Sequence, residues 1–349
     1  MNAPAILKLD HPFAAPPSIG AATLVAPGIH WLRMPLPFAL DHINLWLVDG
    51  EHGFAAVDCG YGDDVTRGMW QRHFTTTMRD RPITALLATH YHPDHLGNAA
   101  WLAARFDVRV TMTHAEFLHA GAVWRDQAPL GAGAHASFLR AHGMAPEHLD
   151  ALAARGNAYR RGVPALPESF VRIVDGDAVT LGTRDFHVIT GFGHSPEHAA
   201  LHCAAAGILI AGDMLLPRIS TNVSAWPGEP DGDPLLRFLD SLGRFEQLPP
   251  DTLVLPSHGL PFRGIALRVA QLRAHHHARL AELEDFVRVS GRPVSACDVL
   301  PTLFRRELDL QQRFFAMGEA IAHLNHLWHA HRVERTVDAD RSILYRALP

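Results

Sequence analysis

The stretch Thr89-His90-Tyr91-His92-Pro93-Asp94-His95-Leu96-Gly97-Asn98 sets three imidazoles and a carboxylate within six residues. It follows an apolar run, Ile83-Thr84-Ala85-Leu86-Leu87-Ala88, short enough and apolar enough to be a buried strand. It precedes Asn98-Ala99-Ala100-Trp101-Leu102-Ala103-Ala104-Arg105-Phe106, whose composition favours a helix. A strand-to-helix junction is where α/β sheets hold their ligands. In an extended segment His90 and His92, two apart, point the same way. Pro93 breaks the strand and puts Asp94 and His95 into the following turn. Neutral imidazole suits zinc, iron and similar metals, and a carboxylate adds a hard, negative oxygen donor. The stretch therefore offers two ligands to one metal ion and two to a neighbour. The chain holds 25 His in 349 residues, so a single His carries little weight and the spacing carries most of it.

Four further segments bear on that spacing. Val57-Asp58-Cys59-Gly60 ends an early strand, and Gly193-His194-Ser195-Pro196-Glu197-His198 opens on glycines that permit close backbone approach. Ala211-Gly212-Asp213 and Pro256-Ser257-His258-Gly259 each end a late strand. Taken singly, each is an ordinary turn or strand end. In this order, around His90-x-His92-x-Asp94-His95, they resemble the signature of the metallo-β-lactamase-fold hydrolases over residues 23–264.

The resemblance implies an α/β fold, a four-layer αββα sandwich. It implies that His90, His92 and His194 hold one metal, that Asp94, His95 and His258 hold another, and that Asp213 bridges the two. Asp58 then orients the ligands from behind, so that Asp94 and Asp58 both belong to the catalytic centre. The implied cofactors are two divalent cations, zinc by default, with iron or manganese able to occupy the same atoms. Such a pair activates a shared water for attack on a carbonyl or phosphoryl group. His198 matches a second His of glyoxalase-II-like members and is left outside the metal set. That match favours a small acyl substrate, a thioester first, with lactones and phosphodiesters as alternatives. A mononuclear iron oxygenase acting on persulfides is the reading from another class, and the full second ligand set speaks against it.

The rest of the chain frames these segments. Residues 1–22 are rich in Pro and Ala and read as a loose arm. Residues 23–264 form the catalytic domain, with an Ala- and His-rich helical insertion over 114–168 that covers the active-site face. His114, His119, His135, His142 and His148 lie in it and read as packing or surface residues. The irregular segment 215–227 follows Asp213 directly and should line the pocket, with Arg218 and Asn222 as candidate substrate-binding residues. Residues 265–349 read as helices over 265–288, 294–304 and 308–331, then a hairpin of 333–337 and 342–347. That order resembles a winged-helix appendage found in some members of the family. His275, His276 and His277, and His323, His326 and His329, recur on these helices and read as packing or surface residues, with a second metal site as the lesser reading.

A net charge of −5 and no basic stripe on the last helix argue against a nucleic-acid partner. Three scattered cysteines, Cys59, Cys203 and Cys297, read as reduced thiols, and a cytoplasmic location is expected. The N-terminus lacks the pattern of a signal peptide, and no apolar run approaches the ~20 residues of a membrane span. The expected partner is a small-molecule substrate, with the C-terminal helices as a surface for a homodimer.

Overall fold

Alternating apolar residues build two sheets whose faces both meet apolar partners. The computed structural model describes residues 8–348. The first sheet holds β1 (Ala22–Ala26), β2 (Ile29–Pro35), β3 (His42–Asp49), β4 (Phe54–Val57), β5 (Ile83–Leu87), β6 (Val110–Thr113) and β7 (Phe170–Ile173), side by side in chain order. Its first four strands pair antiparallel, and β4 to β7 pair parallel. The second sheet runs β12 (Leu253–Pro256), β11 (Ile208–Gly212), β10 (His198–Cys203), β9 (Arg184–Gly191) and β8 (Ala178–Leu181). Here β11 and β12 are parallel and the other pairs antiparallel.

The inner faces close on each other through Trp31, Trp46, Val57 and Leu87 from one sheet and Phe186, Val188, Leu201 and Ile210 from the other. Trp31 and Trp46 stack there at 6.1 Å. Each such side chain, buried, contributes roughly 1.5–3 kcal/mol. The outer face of the first sheet buries Leu45, Ala56 and Leu86 beneath Trp70 and Phe74 of helix Asp64–Thr75 and Leu102 of helix Ala99–Phe106. The outer face of the second sheet buries Leu209, Ala211 and Val254 beneath Leu235, Phe238, Leu242 and Phe245 of helix Pro234–Phe245. Asp233 caps that helix, its side chain accepting from the Leu236 N–H at 2.9 Å. The layers are therefore helix, sheet, sheet, helix.

The C-terminal region is a helix Ile265–Ser290, a helix Leu310–His329 with a capping box of Asp309 and Gln312, and a hairpin of β13 (Val333–Val337) and β14 (Ile343–Ala347). The helix expected over 294–304 shrinks to Leu300–Leu303. Pro301 sits in the first turn of the helix that remains, and Val294 exchanges backbone hydrogen bonds with Tyr345 of the hairpin at 2.8 Å. The expected boundary at residue 265 marks the start of a helix but no break in the core. Val269, Leu272, Met317, Ile321 and Leu324 share one apolar cluster with Leu209, Val254 and Phe238, and with Phe138 and Leu149 of the insertion.

The arm also differs from expectation in its described part. The Arg263 N–H donates to the Asp10 carbonyl at 2.8 Å, and Phe13 packs edge-on against Trp31 at 6.2 Å. These contacts strap residues after Lys8 to the body, while residues 1–7 lie outside the described part. No helix of the described residues is long and apolar enough to cross a membrane.

Candidate metal centre

Five loops meet at one rim of the sandwich, each leaving the end of a strand. Asp58 follows β4, the His90–His95 segment follows β5, His194 follows β9, Asp213 follows β11 and His258 follows β12. Two glycines permit this crowding. At Gly193, φ is 92°, and a Cβ would meet the Pro234 carbonyl at 2.3 Å. At Gly212, φ is 52°, and a Cβ would run into the His198 ring at 2.1 Å.

The rim gathers two sets of donor atoms. His90, His92, His194 and Asp213 form one set, and Asp94, His95 and His258 the other, with the donor atoms of each set within 4.8 Å of one another. In the first, His90 Nε2 lies 2.9 Å from His92 Nδ1 and 3.2 Å from His194 Nε2. In the second, Asp94 Oδ2 lies 3.7 Å from His95 Nε2 and 3.4 Å from His258 Nε2. Asp213 stands between them. Its Oδ2 faces His194 Nε2 at 3.3 Å, and its Oδ1 faces His95 Nε2 at 3.6 Å and His258 Nε2 at 3.4 Å.

The outward ring nitrogens are tied down, which aims the inward ones. His194 Nδ1 donates to the Asn222 carbonyl at 2.8 Å, and His258 Nδ1 to the His42 carbonyl at 2.7 Å. His95 Nδ1 donates to Asp58 Oδ2 at 2.8 Å. Asp58 Oδ1 also accepts from the Thr89 N–H at 2.8 Å, at the head of the His-rich turn. To reach both, Asp58 takes φ 64°, a left-handed conformation that Asp tolerates better than most residues. His198 Nε2 accepts from the Asp213 N–H at 3.1 Å and so fixes the backbone beneath Asp213.

Two carboxylates that the sequence did not single out belong to this frame. Glu116, fully buried, accepts from the Tyr91 N–H at 2.9 Å, the Ser195 hydroxyl at 2.6 Å and the Glu197 N–H at 2.7 Å. It therefore staples the His90–His92 loop to the His194 loop. Glu319, from helix Leu310–His329, accepts from the Asn222 amide at 3.1 Å. No local pattern marks either residue. Glu116 is one polar residue at the head of an Ala-rich helix, and Glu319 lies nearly a hundred residues from its partner.

Of the two candidate substrate residues, Asn222 is beside the centre, with its side chain occupied by Glu319 and by the Ser224 hydroxyl at 2.7 Å. Arg218 is exposed and stands outside both donor sets. The His residues of the insertion and of the C-terminal helices also stand outside them.

The electrostatics divide the centre. Burial and the neighbouring imidazoles hold His90 and His92 well below their ordinary pKa, so their lone pairs are free at neutral pH. Burial also lowers His95, but Asp58, Asp94 and Asp213 outweigh it and raise the ring to about 10. The same balance raises His258, through Asp213 and Asp94. Burial would raise Asp213, yet His258 and His95 hold it well below the usual carboxylate range. His95 Nε2 and Asp213 Oδ1 are buried without a hydrogen-bond partner. Orphaned buried donor atoms at one point are what a cation satisfies. Seven nitrogen and oxygen ligands, with carboxylates that already favour positive charge, therefore fit divalent metal ions.

The comparisons agree with this geometry. Residues 39–258 match the metallo-beta-lactamase superfamily, and residues 280–348 match the C-terminal domain of metallo-beta-lactamase-like proteins. The chain belongs to the metallo-beta-lactamase superfamily, whose metal-dependent hydrolases use divalent cations. The crystal structure of a beta-lactamase domain protein from Burkholderia ambifaria is 47% identical, with a TM-score of 0.90, over 97% of this chain and 98% of that one. A probable metallo-hydrolase of Bacillus subtilis, YqjP, is 24% identical over 84% of this chain and 90% of its own length. A hydroxyacylglutathione hydrolase of Erythrobacter litoralis is 24% identical over 78% of this chain and 83% of its own.

Proposed function

We propose that the protein is a binuclear metal-dependent hydrolase of small acyl substrates, thioesters first. The observation that carries the reading is Asp213, whose two oxygens face the two donor sets separately. In this reading His90, His92 and His194 would hold one cation, Asp94, His95 and His258 the other, and Asp213 would serve both. Zinc is the default occupant, with iron or manganese compatible with the same donors. Bound there, the pair supplies Lewis acidity toward a carbonyl oxygen and lowers the pKa of water toward neutrality.

The chain's own residues supply orientation. Asp58, Asn222 and His42 accept from the outward ring nitrogens of His95, His194 and His258 and so aim the inward nitrogens at the centre. The carboxylates that raise His95 would favour a bound cation in place of its proton. No side-chain nucleophile is part of the reading. Ser195 donates its hydroxyl to Glu116, and Cys59 is buried with its thiol pKa pushed well above the ordinary value.

The thioester preference draws support from the hydroxyacylglutathione hydrolase relative, since hydroxyacylglutathiones are thioesters. A cytoplasmic site of action is part of the same reading, supported by three free cysteines. The test is a panel of thioesters, lactones and phosphodiesters offered to zinc-loaded protein. Faster turnover of a thioester than of every lactone and phosphodiester is expected. Turnover confined to phosphodiesters contradicts the acyl reading.

A further inference from the structure

Helix Leu310–His329 carries Gly318 and Glu319 against the segment Thr221–Ala225. The approach is close. A Cβ on Gly318 would lie 2.8 Å from the Ser224 side chain, and the Ala225 N–H donates to the Gly318 carbonyl at 3.0 Å. One residue on, Glu319 Oε2 accepts from Asn222 Nδ2 at 3.1 Å. The other end of that amide is also held, because the Ser224 hydroxyl donates to Asn222 Oδ1 at 2.7 Å. Both ends fixed, the Asn222 side chain has one orientation, and its backbone follows. The Asn222 carbonyl is the partner of His194 Nδ1, at 2.8 Å. Its neighbour Thr221 donates a hydroxyl to the Asp213 carbonyl at 2.5 Å. This five-residue segment thus touches the backbone of Asp213 and the ring of His194 on one side and the C-terminal helix on the other.

Packing alone does not call for a carboxylate here. Ala316, Met317, Ala320 and Ile321 already bury the helix in the shared core. Burial pushes the Glu319 carboxyl up to about 7, against the pull of Asn222 and Arg279. A group that costs stability when charged, placed one residue from the ring it can steer, is better explained by what it orients than by what it packs.

We propose that Glu319 is a positioning residue for the metal centre, fixing His194 through Asn222. The C-terminal unit, which contributes no atom to either donor set, thereby tunes the affinity of one of the two metal positions. The inference rests on the reading of His90, His92 and His194 as ligands of one cation.

The experiment is zinc titration of the full-length chain in competition with a chromophoric chelator, for wild type, Glu319→Gln, Glu319→Leu and His194→Ala. Thermal unfolding is recorded alongside. Gln keeps an oxygen that accepts from Asn222, so Glu319→Gln should bind both equivalents as wild type does. Glu319→Leu should lose about 10–100-fold in affinity for one equivalent and nothing for the other. Wild-type affinity in Glu319→Leu overturns the proposal. So does an equal loss in the Gln and Leu variants that follows their loss of melting temperature. Should Glu319→Leu fail to fold, Asn222→Ala cuts the same link from the loop side and must show the same selective loss, and unchanged binding there overturns it. His194→Ala separates the two readings. If it keeps both equivalents, the metal assignment itself falls, whatever Glu319 does.

Discussion

At the rim of the sandwich, five histidines surround Asp94 and Asp213, while between helices Ile265–Ser290 and Leu310–His329 the buried His276 and His323 hydrogen-bond each other. His276 and His323 are buried, as are four of the five rim histidines, and the chain is rich enough in His to supply either group. Their protons run in opposite senses. His323 Nδ1 donates to the Glu319 carbonyl at 2.8 Å, which leaves its Nε2 to accept from His276 Nδ1 at 3.1 Å. That is a chain of donors running from His276 through His323 to the Glu319 carbonyl, with His276 Nε2 left buried without a partner. At the rim, the Nδ1 atoms of His95, His194 and His258 donate outward, and their Nε2 atoms converge. Carboxylates complete the contrast. Three of them raise His95 to about 10, whereas burial and neighbouring imidazoles hold His276 at about 3 and His323 at about 4. Buried imidazoles become a metal site when outward partners and inward carboxylates accompany them.

Variants can break or sharpen this contrast. The largest effect is expected from Asp213→Ala, which removes the oxygen facing each donor set. Elemental analysis should show metal lost from both sets, and hydrolysis should fall to background. Glu116→Ala comes next. It orphans two N–H groups and a hydroxyl between the ligand loops, at roughly 1–3 kcal/mol for each buried group left unpaired. Chemical denaturation should show that loss, together with weaker metal binding. Asp58→Ala leaves His95 without its outward partner, and a chelator competition should show about 10–100-fold weaker metal affinity.

The smallest effect on the centre is expected from His276→Leu, which should leave metal content unchanged and alter only acid stability. The sign follows from the depressed pKa. Above the unfolded value of 6.5 both states are neutral, and nothing is gained or lost. Below it the unfolded chain takes up protons that buried His276 and His323 refuse, so stability falls as pH drops toward 4. Denaturation midpoints at pH 7 and pH 5 should differ less in His276→Leu than in wild type. An unchanged pH dependence would show that the pair does not titrate in this way.

How much of this could be read from the chain depended on whether the signal was local. The His90–His95 spacing, the apolar run before it and Pro93 within it are all local. They set that segment at the end of β5, where the structure has it. Asp58, Asp213 and His258 each follow a short apolar run, so their strand ends were legible too. Glu116 and Glu319 were not, because each acts on residues far along the chain. Glu116 bonds Ser195 across 79 residues and Glu319 bonds Asn222 across 97. The helix expected over 294–304 failed for a related reason, since pairing of Val294 with Tyr345 overrode a local helical pattern. The merging of the C-terminal helices into the core beside Phe238 and Val254 likewise comes from contacts that no boundary in composition announces.

The central claim is that the rim holds two cations with Asp213 between them. The most direct test is elemental analysis of protein purified without added metal or chelator, wild type beside Asp213→Ala. The account predicts about two divalent cations per wild-type chain, one for each donor set, and their joint loss in the variant. One iron per chain, retained in Asp213→Ala and accompanied by oxygen uptake with a persulfide, would contradict it.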